Sequence, residues 1–139
     1  MPFLDEIAAK LVADGVGVIG STIFLGSNAK LPAADDAKSA AGFLTLIETG
    51  GFAPTRTQDQ ASAATLRPTA QVMAHANSYK TARGLCRLAY LSLDGIYNTA
   101  LSGVTYVRMV AQQEPTDAGL DAASRTAIVF NVEAEKAPS

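Results

Sequence analysis

The chain has 139 residues, the size of one ordinary domain, and 48% of them are hydrophobic, so it can bury a core and is not disordered. Its 11 Lys and Arg against 13 Asp and Glu leave a net charge of −2, which excludes a sequence-wide attraction to nucleic acid or anionic lipid. A single cysteine excludes an internal disulfide and a cysteine-based zinc site, and no apolar run approaches the roughly 18 residues of a membrane span. The first residues, MPFLDEIAAKL, carry acids where a signal peptide carries a basic region, so a soluble, unprocessed chain is expected.

Residues 3–14 are predicted to be a helix, because Phe3, Leu4, Ile7 and Leu11 follow helical spacing on one face. Asp5 and Glu6 suit its positive start and Gly15 its stop. Residues 18–25 read as a short strand rich in β-branched and aromatic side chains, and 26–41 as a polar, Ala-rich loop. Residues 42–49 form a second strand, which Gly50 and Gly51 break in a turn. A long loop without periodicity follows at 52–66. Residues 68–77 read as a third strand, with Pro68 at its first position, where the missing N–H is tolerated. Ser78 caps a second helix that runs from Tyr79 to about Tyr97. Two last strands, 104–113 and 126–135, form a hairpin-like pair joined by the acidic segment 114–124. Within the last strand Ile128, Phe130 and Val132 alternate against Asn131 and Glu133. The order α-β-β-β-α-β-β predicts one α+β domain over 1–139, a mixed, mainly antiparallel sheet with both helices on one face.

No catalytic constellation emerges. Gly15-Val16-Gly17-Val18-Ile19-Gly20 matches the dinucleotide fingerprint, but that motif needs a strand before it and a helix after it, and here the order is reversed. Neither Gly26-Ser27 nor Gly50-Gly51 has a P-loop lysine at the required spacing. The lone histidine, His75, cannot build a histidine-based metal site and is read as a structural strand position rather than a general base. Asp35 and Asp36 are read as solvated surface, and Cys86 as a small core residue on the second helix. No metal, cofactor or catalytic residue is expected, and the chain is read as non-enzymatic.

The second helix carries the candidate contacts. Ala82, Leu85, Cys86, Ala89, Leu93 and Ile96 form an apolar stripe toward the sheet, and Lys80, Arg83 and Arg87 form a basic arc beyond it. Leu88 and Leu91 lie off the core face; they either meet a partner or are covered by loops of the same chain. The acidic Glu114, Asp117 and Asp121 are expected to form a complementary patch on another edge. Opposite patches on different sides suit a head-to-tail, ring-closing contact. Arg67, beside Pro68, joins the candidate interface residues.

Several pieces in order carry a family resemblance: the helix FLDEIAAKLVADGVG and strand TIFLG, the ETGG turn at 48–51, RPTAQV at 67–72, and Tyr79, Ala82 and Arg83 at the helix start. Gly103–Tyr106, Pro115, Gly119, Asp121, Arg125 and the final Phe130-Asn131-Val132-Glu133 complete it. Together they resemble the minor capsid proteins of tailed bacteriophages, which are similar to the tail terminator proteins that cap the tail tube. A loop at 26–41 that is longer than usual and DAAS before Arg125 depart from the pattern. The resemblance implies a virion structural protein of the head–tail neck, assembled in the host cytoplasm, and a homo-oligomeric ring, usually a hexamer. Its implied partners are the tail tube protein and the head-side connector or stopper, with DNA passing the lumen without specific contact and no membrane. A head-completion or stopper protein is the alternative within the neck. A small ligand-binding or enzymatic α+β domain using His75 or Asp35-Asp36 is the alternative of a different class.

Overall fold

The first helix, α1 (Phe3–Ala13), buries Phe3, Leu4, Ile7, Ala8 and Leu11 on one face, as the spacing predicts. The computed structural model describes residues 2–26, 29–33, 35–55 and 65–137. At the end of α1, Asp14 accepts a hydrogen bond from the Ser92 hydroxyl and so ties α1 to the helix that follows the sheet's central strand. The next strand, β1 (Ile23–Leu25), is shorter than the predicted 18–25. The N–H groups of Ser21, Thr22 and Ile23 all turn back to the Val18 carbonyl, and Gly20 adopts φ +80°, so residues 18–22 form a turn.

The segment expected to be a loop at 26–41 contains a short helix, α2 (Ala37–Ala41), whose N-cap Asp36 accepts the Lys38 N–H. Strand β2 (Phe43–Glu48) and strand β5 (Thr69–Ala76) match two predicted strands within a residue or two. Between them lie β3 (Phe52–Thr55) and β4 (Thr65–Arg67), two short strands at the ends of the predicted 52–66 loop; residues 56–64 fall outside the described residues. Helix α3 (Tyr79–Leu93) ends four residues before the predicted Tyr97, because Asp94 turns to extended backbone and Gly95 takes φ +77°. The chain then forms β6 (Ile96–Leu101), β7 (Val104–Ala111), β8 (Thr116–Leu120) and β9 (Thr126–Lys136).

Among the described residues these strands join into one sheet with the order β1-β2-β5-β9-β4-β3, to which β7 and β8 add alongside β9, and β6 alongside β7. The β1–β2 pair is parallel and the others are antiparallel, so the sheet is mixed and mainly antiparallel, as expected for the α+β class. The long β9 organises it: β5 runs along residues 126–133, while β8 pairs with its beginning and β7 with its end. The predicted pairing of the two last strands is therefore present, and the segment that joins them adds β8 beside the beginning of β9.

Register separates the two faces of the sheet. Leu44 pairs with Ala74 and Leu46 with Val72, while Ala74 in turn opposes Ile128 and Val72 opposes Phe130. These side chains, with Val132, pack under Ala82, Cys86, Ala89 and Leu93 of α3 and beside α1. The Cys86 thiol lies in this core, where burial raises its pKa to about 12. The alternate positions Phe43, Thr45, Met73 and His75 fall on the other face.

Candidate functional site

Helix α3 presents the basic arc as a surface. Lys80, Arg83, Arg87, Leu88 and Leu91 are all exposed, Leu88 at 55% and Leu91 at 59%. Exposure settles one alternative: among the described residues no loop of the chain covers the two leucines. Arg83 is not free, since its Nη1 donates to the Pro115 carbonyl at 3.1 Å. That bond corrects the expectation of patches on separate edges: the basic arc and the acidic segment meet at Pro115, between Glu114 and Thr116 at the start of β8.

The acidic residues divide. Glu114 and Asp117 are exposed, and Asp117 accepts the Gly119 N–H in a local turn at the bulge of β8. Asp121 instead points inward, into a buried cluster. Arg67 lies on β4 with its guanidinium 4.9 Å from the centre of the Phe52 ring. At Gly50 and Gly51 both glycines have positive φ, and the Gly51 N–H donates to Thr69 Oγ1 at 2.9 Å.

The buried cluster occupies the sheet face opposite α1 and α3, and α2 contributes Ser39 to it. His75 Nδ1 is 2.8 Å from Asp121 Oδ2, and His75 Nε2 is 3.1 Å from Thr45 Oγ1. Burial of Asp121 alone would raise its pKa, but the Arg125 N–H, the His75 ring and the Arg125 side chain outweigh that and lower it. An ionised Asp121 only accepts, so His75 carries its proton on Nδ1 and its Nε2 accepts from Thr45. Burial lowers the His75 pKa, more than Asp121 raises it. Arg125 completes the cluster: Nε donates to Asp121 at 2.9 Å, and Nη1 to the Pro32 carbonyl and Ser39 Oγ. Its guanidinium also lies 4.7 Å from the Phe43 ring centre, and Phe43 stacks on His75.

Arg125 therefore ties Pro32 and Ser39 to the sheet. Thr45, His75 and Asp121 lie in line, as a nucleophile, base and orienting acid would. Yet His75 is only 4% exposed and both its ring nitrogens are engaged, so no lone pair faces a substrate. The cavity beside it, lined by Leu31, Thr45, Ile47, Met73 and His75, holds about 140 Å³. As a structural histidine, His75 fits its sequence reading. Asp35 and Asp36 are exposed, and among the described residues no group of three His, Cys, Asp or Glu is placed to hold a metal ion.

A second buried pair joins the chain's two ends. Glu6 on α1 accepts at Oε1 from Tyr106 Oη at 2.6 Å and from Lys136 Nζ at 2.5 Å. Glu6 is fully buried and Lys136 is 2% exposed. Burial raises the Tyr106 pKa, and the adjacent Glu6 carboxylate adds to the shift.

A family model described as bacteriophage tail terminator protein matches residues 10–137. Among solved structures, the chain is similar in fold to one described as the virion of a native gene transfer agent (GTA) particle. That likeness has a TM-score of 0.60 and 12% identity, and it covers 97% of this chain and 91% of that chain. At this identity it speaks for the fold alone. No curated protein matches the sequence.

Proposed function

We propose that this chain, which belongs to the bacteriophage tail terminator family and is thus a structural tail protein, acts as a single domain that closes into a ring on the end of the tail tube. The ring, usually six-fold in proteins of this kind, stops tube growth and offers its other face to the head-side connector. Its place is the head–tail neck of the virion, built in the host cytoplasm, with DNA passing through the lumen without specific contact. The chain does this without catalysis.

One observation carries the reading: the family match runs through nearly the whole chain, from residue 10 to residue 137. The surface supports it. Leu88 and Leu91 are exposed beside Lys80 and Arg87 on one helix, and an apolar pair rimmed by charge suits a protein–protein contact. Across the sheet, both ring nitrogens of His75 are engaged, which supports a structural role for one of the residues an enzymatic reading would use.

Electron microscopy of lysates from phage lacking this chain tests the proposal. Filled heads with separate tails, many longer than normal, are expected, because an uncapped tube edge keeps adding subunits. Normal-length tails joined to heads would eliminate the terminator role. Normal-length, unattached tails with DNA leaking from heads would point to a head-completion or stopper protein instead.

A further inference from the structure

Helix α2 stays in place without an apolar face of its own. Ala37, Ala40 and Ala41 are exposed, and Ser39 is its one buried residue. So little apolar surface leaves water that hydrogen bonds must hold the helix. The bonds that tie it to the sheet run through Ser39. Its carbonyl accepts the Asn77 N–H at 2.9 Å, and its hydroxyl accepts from Arg125 Nη1 at 3.1 Å. The same Nη1 donates to the Pro32 carbonyl.

Arg125 is held in turn by a carboxylate that it shares with His75. Arg125 Nε and His75 Nδ1 end on the same atom, Asp121 Oδ2, at 2.9 and 2.8 Å. Asp121 Oδ1 takes the N–H groups of Ala123 and Arg125. From β2 His75 meets Thr45 and Phe43, from β9 Ala127 opposes it, and α2 turns Ser39 inward. The cavity beside it is lined by uncharged residues. Asp121 and Arg125 are thus the charged groups that face His75. With His75 neutral, one carboxylate answers one cation. With His75 protonated, two cationic side chains, each 4% exposed, meet on a single oxygen, and one buried charge is left uncompensated.

We propose that α2 is an acid-released latch: a proton on His75 loosens Arg125 from Asp121, and Pro32 and Ser39 then leave the sheet. The added proton sits on Nε2, so it also removes the acceptor that the Thr45 hydroxyl uses. Release uncovers the Arg125 guanidinium and the Phe43 ring 4.7 Å from it. The sheet and its core stay folded, because α2 contributes nothing to the core cluster. Closed, His75 is held below its ordinary pKa, chiefly by burial; opened to water, it returns toward about 6.5. Opening therefore takes up a proton between those two values, and its equilibrium constant rises by up to about tenfold for each pH unit lost there. Above about pH 6.5 the latch is indifferent to pH. This device stands whether or not the chain closes into a ring.

Amide hydrogen exchange on the full chain, from about pH 7.5 to about pH 5 and corrected for the intrinsic pH dependence of exchange, tests this. The N–H groups of Asn77 and Gly42, bonded to the Ser39 and Lys38 carbonyls, report the latch. Those of Val72 and Ala74, on the central strand β5, report global unfolding. Asn77 and Gly42 are expected to exchange faster than Val72 and Ala74, and to lose protection by up to about tenfold per pH unit below about pH 6.5. His75→Gln keeps a donor for Asp121 but does not titrate there, so its latch protection is expected to stay constant with pH. Ser39→Ala removes the hydroxyl that Arg125 holds, and is expected to lower latch protection by about tenfold at pH 7.5 while Val72 and Ala74 are unchanged. Latch amides as protected as Val72 and Ala74 at every pH overturn local release. Wild-type latch protection that ignores pH, or that falls equally in His75→Gln, overturns His75 as the trigger. Unaltered protection in Ser39→Ala overturns the hold on α2.

Discussion

His75 donates its Nδ1 proton to Asp121 across 2.8 Å, joining the end of β5 to the turn that leads into β9. Asp121 also takes the Arg125 guanidinium, which reaches on to Pro32 and Ser39. One carboxylate thus organises the sheet face opposite α1 and α3. Without these bonds the buried polar groups of His75, Asp121 and Arg125 would be left without partners. The cluster is a fastening for a segment that is too polar to pack by itself.

The cluster makes stability depend on pH. His75 is held below its ordinary pKa, chiefly by burial, so between the folded value and about 6.5 the unfolded chain binds the extra proton. Stability is therefore full above about pH 6.5 and falls as pH drops through that window, by at most about 1.4 kcal/mol per pH unit. Asp121 contributes lower down, because its pKa lies below 3.8 and its stabilisation is lost only in stronger acid. Urea melts from about pH 7.5 to about pH 5 measure the slope, and His75→Gln is expected to flatten it.

The two glycines of the turn separate two physical effects. Each has positive φ, so alanine at either is strained by about 1–2 kcal/mol. At Gly50 an added Cβ meets nothing within 4 Å, but at Gly51 it would sit 2.7 Å from the Arg67 carbonyl oxygen. Gly51→Ala should thus lose clearly more stability than Gly50→Ala in denaturant melts. Equal losses would show that β4 yields to the intrusion.

Phe130 is fully buried at the centre of β9, with its ring edge-on to Tyr90 at 5.7 Å. Phe130→Ala should cost about 3–5 kcal/mol, the range for a buried aromatic whose cavity does not collapse. A loss under about 1 kcal/mol would mean that α3 settles into the space.

Glu6 and Lys136 should reveal their pairing by asymmetry. Lys136→Met leaves Glu6 buried without its cation and should cost about 3–5 kcal/mol. Replacing both with apolar residues should recover most of that loss. A double variant no better than the single would locate the cost in the packing of Lys136 against Phe3 and Tyr106 instead.

The core was legible because periodicity reports it: Ile128, Phe130 and Val132 alternate, Ala82, Cys86, Ala89 and Leu93 repeat helically, and all are buried. Periodicity overruns the end of α3 because Ile96 continues the helical stripe, although Asp94-Gly95 is a turn dipeptide. Strand β8 has no alternation to detect, since all five of its residues are exposed. The Arg125 cluster could not be read at all. Beyond Asp121, four residues before it, its partners lie 86 and 93 residues away in the chain, and only the fold brings them together. Glu6 did leave a signal, a charge among Phe3, Leu4 and Ile7 on the apolar face, but spacing does not name the lysine that answers it.

Single substitutions in the basic arc separate the stability of the subunit from its assembly. Arg83 holds the Pro115 carbonyl, so Arg83→Glu disturbs the subunit itself by about 1 kcal/mol, and any assembly defect would be ambiguous. Arg87 is exposed and forms no ion pair among the described residues, so Arg87→Glu should change stability by no more than about 0.5 kcal/mol. If α3 makes the subunit contact, a reversed charge there puts like against like or leaves a buried carboxylate unpaired, and either weakens ring closure. An incomplete ring leaves part of the tube edge open, and growth continues past the normal stop. Phage carrying Arg87→Glu should therefore give filled heads beside free tails with a broadened, longer length distribution, while the purified subunit melts like the wild type. Tail lengths measured in electron micrographs decide it: a wild-type distribution on joined particles would remove Arg87 from the contact.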